Sequence, residues 1–213
     1  ESSATSRVPA AVSNNIDRLW DYWVTVDPEA ALSAFQSEPV FSKDLPRRLS
    51  VWSETAPERC LDWIEANLDM GSPETDEAIA SVLSGWAVMA PRAAATYLMS
   101  PTVSGVMSED VAATVFRELS SRFPEDALER LEAVKAGMAP GIYDAAARAV
   151  AEGLGARDVD AAVAWARTLD PAVRDRALVG ICTAGGTGSN APQLVFLANE
   201  IGSSELKEQA LHA

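Results

Sequence analysis

Trp86-Ala-Val-Met-Ala-Pro91-Arg-Ala-Ala-Ala-Thr-Tyr97 is the stretch that decides how this chain is read. Trp86 ends one apolar helix. Five residues later Pro91 opens a second, and Ala94 stands three residues beyond the Pro. Pro fits the first position of a helix, where its missing N–H has no intrahelical partner. The residue before a Pro is pushed out of the helical region, so the preceding helix has already ended.

The same unit recurs. Pro28, Pro57, Pro91, Pro124, Val159 and Pro192 fall in one column, and successive members are 29, 34, 33, 35 and 33 residues apart. Five positions earlier stand Trp23, Trp52, Trp86, Leu119 and Leu154, all large and apolar. Three positions later stand Ala31, Cys60, Ala94, Ala127 and Ala162, all small. The sixth unit departs from both columns, with Thr187 and Val195. Asp27 and Asp158 hold the N-cap position, where a carboxylate accepts the free N–H groups of a first turn. Glu29, Glu58 and Glu125 follow in that turn, where the helix dipole favours negative charge. A small residue lets a neighbouring helix approach closely, and a large one fills the space between pairs. Each unit reads as helix A, short turn, helix B.

A period in the low thirties is the mark of a helix-pair array. The pattern resembles the α-solenoid superfamily, the helical repeats of TPR or HEAT type, over residues 13–213. The Trp lies late in helix A and no Leu-Gly pair recurs, so the resemblance names the superfamily and no member. It implies a binding scaffold and carries over no catalytic residue. The expected architecture is all-α: a right-handed superhelix of about six antiparallel pairs, with period about 33 residues, behind a flexible lead-in at 1–12.

Composition sets limits. Of 213 residues, 48% are hydrophobic and 23% charged, the balance of an ordinary folded protein. Acidic side chains outnumber basic ones by 31 to 17, for a net charge of −14. Such a field repels nucleic acid and anionic membranes and suits a basic protein or peptide partner. No apolar run reaches the roughly 18–20 residues that cross a bilayer. Fourteen arginines against three lysines fit a GC-rich, bacterial gene. The chain begins at Glu1 rather than Met, and Glu1-Ser-Ser-Ala-Thr-Ser is linker-like. The expectation is a chain exported or tethered through a removed segment.

The search for chemistry nominates no catalytic, cofactor or metal residue. The only histidine is His212, which excludes His-based triads and multi-His metal sites. Cys60 takes the small column and Cys182 lies in the apolar run from Ala177. Both read as buried small hydrophobes, several repeats apart and without a shared disulfide. Asp69, Glu74, Asp76 and Glu77 gather four carboxylates, but lack the alternating oxygen ligands of an EF-hand. They read instead as helix punctuation, with Gly71 ending one helix and Ser72-Pro73 capping the next. Thr183-Ala-Gly-Gly-Thr-Gly-Ser-Asn190 is glycine-rich, yet it has neither the Lys-Ser/Thr of a phosphate loop nor a preceding strand. The carboxylate pairs Glu65/Asp69 and Asp17/Asp21 sit at i,i+4 on acidic helices and read as solvated surface. Trp20, Trp23, Trp52, Trp63, Trp86, Tyr97 and Trp165 have helical spacing and read mainly as core.

The leading functional expectation is a non-enzymatic scaffold that binds a peptide or protein on a curved helical face. Two others stand beside it. One is a helical-toroid enzyme that cleaves a glycan through paired carboxylates. The other is a structural spacer of a larger envelope protein.

Overall fold

The computed structural model describes residues 10–36, 45–70, 72–100, 108–185 and 191–212. Among these residues the fold is all-α, thirteen helices and no strand. They fall into two compact units, 1–82 and 83–213. The first holds α1 (Ala10–Val26), α2 (Pro28–Gln36), α3 (Leu45–Ser53), α4 (Pro57–Asn67) and the opening turns of α5 (Pro73–Met89). The second holds the end of α5 and α6 (Pro91–Leu98), α7 (Glu109–Arg122), α8 (Pro124–Val134), α9 (Pro140–Gly155) and α10 (Val159–Ala166). It continues through α11 (Pro171–Gly185), α12 (Ala191–Glu200) and α13 (Ser204–Leu211).

One backbone device explains the sequence columns. A single non-helical residue precedes helix B of each pair, alone between the helices at Asp27, Ala90 and Phe123 and last of three residues at Ala56 and Asp158. Its N–H donates to the carbonyl of the large column residue, and its own carbonyl accepts the N–H of the small one. In the first unit Asp27 joins Trp23 (2.8 Å) to Ala31 (3.0 Å), and Ala56 joins Trp52 (3.1 Å) to Cys60 (3.0 Å). In the second, Ala90 joins Trp86 to Ala94, Phe123 joins Leu119 to Ala127, and Asp158 joins Leu154 to Ala162. Ala56, Ala90 and Phe123 share φ near −140° and ψ near 70° (−147/65, −139/71 and −138/69). At each corner this residue links the last turn of helix A to the N-cap of helix B, and the Pro that follows it in four of the five is preorganised for the new first turn. The small residue completes that turn inside the corner. Ala31, Cys60, Ala94, Ala127 and Ala162 are all 0% exposed.

The predicted caps at Asp27 and Asp158 are in place, and Ser108 supplies another: their side chains accept N–H groups of Ala30 (3.2 Å), Ala161 (3.0 Å) and Val111 (3.3 Å). Ser72 accepts from Thr75 at 3.2 Å, with Glu74 and Asp76 in the first turn of α5. One expected boundary moves: α1 begins at Ala10, inside the lead-in expected at 1–12, because Ala10 and Ala11 are strong helix formers and extend it upstream. α9 begins at Pro140, with Pro in its first turn. α11 runs beyond the apolar stretch Ala177 to Cys182 as far as Gly185, and Thr183 Oγ1 donates back to Val179 O at 2.9 Å. The rest of the glycine-rich stretch, 186–190, lies outside the described residues. So do residues 1–9 of the lead-in, Gly71, the loop expected at 38–43 and the one at 101–107.

In the first unit α1 packs on α2 and α3, and α3 on α4. In the second, α7, α9 and α11 form a layer with α9 in the middle. α8 packs against α7 and α9, α10 against α9 and α11, and α12 and α13 against α11. Glycine sets the closeness of this layer. A Cβ on Gly153 would lie 1.9 Å from Ser120 Oγ, and one on Gly180 would lie 2.3 Å from the Arg148 carbonyl oxygen. Polar pairs run between equivalent helices about one period apart. Arg59 meets Glu29 (2.6 Å, 30 residues away), and Arg92 meets Asp126 (34 residues away). Arg167 meets Glu200 (2.9 Å) and Gln193 meets Asp160 (2.8 Å), both at a separation of 33. Arg117–Glu152 and Asp144–Arg176, each 3.1 Å, join α7 to α9 and α9 to α11. Such exposed pairs add little stability, but they fix which helices are neighbours.

Candidate functional site

A cleft of about 300 Å³ opens in the second unit between α9, α11 and α13. Arg148 lines it from α9, Arg176 and Val179 from α11, and Ser203, Glu205, Leu206 and Gln209 from the start of α13. Its character is polar, with two guanidiniums, one carboxylate, one amide and one hydroxyl against two aliphatic side chains.

Each wall has a structural cause. Asp175 on α11 is buried, and its Oδ2 accepts the N–H groups of Gly202 (3.0 Å) and Ser203 (3.3 Å). This ties the turn before α13 to α11. Ser203 Oγ in turn accepts the Leu206 N–H at 3.5 Å and caps α13. Asp175 Oδ1 has Arg174 Nη2 at 3.7 Å. On the opposite side, Gly180 leaves room for the Arg148 carbonyl and for its Cγ, which would lie 3.2 Å from a Cβ at position 180. The stem of Arg148 therefore lies across α11 where any larger residue would displace it.

The electrostatics are uneven. Arg176 Nε lies 3.1 Å from Asp144 Oδ2 as an ion pair. Burial pushes the Asp144 carboxyl above the ordinary carboxylate range. Arg176 pulls it back, and the charge of Glu109 pushes it up again. Arg176 is thus paired with Asp144, while Arg148 forms no ion pair among the described residues. A guanidinium stays charged at any pH a protein tolerates, so the cleft holds the charge of Arg148 beside the Arg176–Asp144 pair and Glu205.

The residues singled out from sequence lie elsewhere. In the first unit a cavity of about 270 Å³ takes Asp69, Glu74 and Glu77 beside Leu45, Leu68 and Ala78. Among the described residues no three His, Cys, Asp or Glu side chains converge as metal ligands. Asp21 is bound by Arg47 (2.7 Å) and by the buried Arg48, so that member of the Asp17/Asp21 pair is an anchor of α1 on α3. Trp52 and Trp63 pack edge to face at 6.3 Å inside the first unit's core, and Trp86 lies against Tyr97 at 5.9 Å. Trp165 is half-buried against the core of α10 to α13. Trp23 departs from the core reading. It is 38% exposed, stacked on Trp20 at 5.1 Å, and continues a surface stripe with Leu19, Tyr22 and Val26. Cys60 and Cys182 are buried free thiols. Burial pushes Cys60 up to about 12 and Cys182 upward as well.

Arg148, Arg176 and Asp175 went unread in the sequence. Arginine on a helix surface looks the same whether it lines a cleft or faces solvent. The available signal was Gly180, a glycine inside the apolar helical run from Ala177 to Cys182, which marks close backbone approach. No family model, curated protein or solved structure matches this chain. Among the described residues no helix is long and apolar enough to cross a membrane.

Proposed function

We infer that this chain is a non-enzymatic interaction scaffold of the α-solenoid kind, a right-handed stack of about six antiparallel helix pairs. It binds a peptide or protein segment along the face that carries the cleft. The repeated backbone bonding of the corner residue and the polar pairs set one period apart support the architecture. Helix-pair arrays contact only their neighbours and present long faces built from equivalent helices. The observation that carries the function is the cleft itself, where α9, α11 and α13 bring Arg148 and Arg176 beside Val179 and Leu206.

The test is affinity capture with three baits: the wild-type chain, Arg148→Gln/Arg176→Gln, and Arg130→Gln/Arg157→Gln as a charge-matched control. Partners are read by mass spectrometry at low and high salt. A scaffold using this face retains a partner on the wild type and control and loses it on the cleft variant. Turnover of a substrate by the purified chain, abolished by substituting one carboxylate pair, would overturn the reading.

A further inference from the structure

We propose that α1 is an interface helix, and that its occupant is α1 of a second copy of this chain. The proposal goes beyond the scaffold reading and uses none of the cleft residues. It lies within the first unit.

α1 has two faces. One turns toward α3, where Arg47 and the buried Arg48 hold Asp21, and Val24 is buried on the same side. Leu19, Tyr22, Trp23 and Val26 lie on the far side, and are 68%, 69%, 38% and 64% exposed. Trp20 stacks on Trp23 at 5.1 Å, so the largest ring of this stripe is already held. At the column position of Trp23 the later units bury their residue: Trp52 is 2% exposed, Trp86 6% and Leu119 0%. A single exposed apolar side chain is ordinary, whereas a contiguous stripe of four marks an interaction surface.

The spacing specifies a helix as the occupant. Val12, Ile16, Leu19, Trp23 and Val26 follow one another at intervals of four, three, four and three. That is the seam spacing of two helices packed side by side. The side of α1 that meets its own unit carries the ion-paired Asp21, while the described part of the seam is exposed.

Charge selects the second copy. The chain carries −14, and its acidic surfaces repel one another. α1 and α3 are different: Asp17 and Asp21 stand against Arg18, Arg47 and Arg48, a sum of +1. Between Leu19 and Val26 the only charged residue is Asp21, which Arg47 and Arg48 neutralise. A basic partner finds no acidic rim here. The occupant must be a near-neutral helix with a matching apolar seam, and α1 is itself such a helix. A two-fold axis sets the stripe against its own copy. Each copy contributes on the order of a few hundred Å², under the ~800 Å² per partner of a standard interface, so the dimer is weak and reversible.

The test is sedimentation equilibrium of the chain from micromolar to near-millimolar concentration, at low and high salt. Amide and indole N–H signals are followed by NMR on dilution. The expected result is a mass that rises with concentration toward that of two chains. Association should tighten at high salt, because salt screens the repulsion between acidic copies and leaves apolar burial intact. Dilution shifts should gather on residues 19–26 and on the Trp20 and Trp23 indoles. Leu19→Ser and Tyr22→Ser change exposed side chains and keep the fold, and each should weaken association about tenfold. Val195→Ser/Phe196→Ser removes an exposed apolar pair on α12 and should change nothing. A chain that stays monomeric throughout, a dimer indifferent to both α1 variants, one lost with the α12 pair, or one that weakens as salt rises would each overturn the proposal. So would a monomer whose Trp23 indole is shielded from a soluble paramagnet, which would place another segment of the chain on the stripe. A monomer that sediments with phosphatidylcholine vesicles would overturn it in favour of lipid. None of these results bears on partner capture through Arg148 and Arg176, so the scaffold reading stands or falls separately.

Discussion

The carboxylate of Asp175 on α11 accepts the backbone N–H of Gly202 at 3.0 Å, and through it the turn before α13 is fixed to the helix beneath. The same oxygen takes the Ser203 N–H at 3.3 Å. Asp175 is buried, so replacing it by Ala leaves two N–H groups facing an apolar side chain. The loss of such partners costs about 1–3 kcal/mol. Asp175→Ala should lower the urea midpoint and accelerate amide exchange across α13 while α7 stays protected. Asp175→Asn keeps an acceptor and should lose less. Unchanged exchange in α13 would show that the turn is held by other contacts.

Gly180 and Gly137 make opposite predictions for one substitution. In a helix, Gly→Ala ordinarily stabilises by about 1 kcal/mol. At Gly180 the new Cβ would lie 2.3 Å from the backbone oxygen of Arg148, which cannot rotate away. Overpacking of this kind costs about 1–3 kcal/mol, so Gly180→Ala should destabilise and displace Arg148. At Gly137 the nearest atom to an added Cβ is 3.9 Å away. Gly137→Ala should be neutral or slightly stabilising through the unfolded chain. Thermal unfolding of both variants decides the matter. Equal shifts would mean that α9 and α11 can separate at little cost.

Much of this chain could be read from its sequence because its signals are local. A Pro, the large residue five before it and the small residue three after it all belong to one corner, and a single backbone residue bonds to both of the latter. Caps at Asp27, Ser108 and Asp158 are legible for the same reason. Trp23 was misread as core because its column position is the same as that of Trp52. Column membership reports the corner and not what covers it: Trp52 is 2% exposed and Trp23 38%. The cleft was illegible because its walls come from Arg148, Arg176 and Ser203, on alternate helices about 30 residues apart in the chain. Val195 broke the small column in the sixth unit, and the structure exposes it while Ala198 is buried instead.

The small column should tolerate removal of atoms better than their addition. Cys60 is fully buried, and its Sγ donates to Leu49 O at 3.5 Å. Cys60→Ala removes one atom and keeps the corner. Ala94→Leu or Ala127→Leu forces a branched side chain into a space filled by the next turn, at a cost of about 1–3 kcal/mol or more. Denaturant midpoints compare the three variants. The thiol adds a pH signature. Burial raises Cys60 to about 12 from an ordinary 9.0, so the unfolded chain loses this proton first. Stability from this group is complete below pH 9.0 and declines as the pH rises toward about 12. The decline should be smaller in Cys60→Ala. Ellman's reagent at neutral pH should leave Cys60 unmodified until the chain unfolds.

Asp144 gives the most direct probe of the charge balance beside the cleft. Burial pushes its carboxyl above the usual range, Arg176 opposes that shift, and Glu109 reinforces it. Removing each neighbour should therefore move Asp144 in opposite senses. Arg176→Gln should raise its titration midpoint further, and Glu109→Gln should lower it. Side-chain carboxyl NMR across the acid range measures both. The effect on stability has one sign. A carboxyl raised by folding binds its proton more tightly in the native state than in the unfolded one. Its contribution is therefore greatest below the ordinary carboxylate value and falls as the pH rises through the raised one. The stability of the wild type relative to Asp144→Asn should decline across that window. A relative stability that rises instead would mean that the Arg176 pair outweighs burial. The Arg176–Asp144 pair would then govern this edge of the cleft.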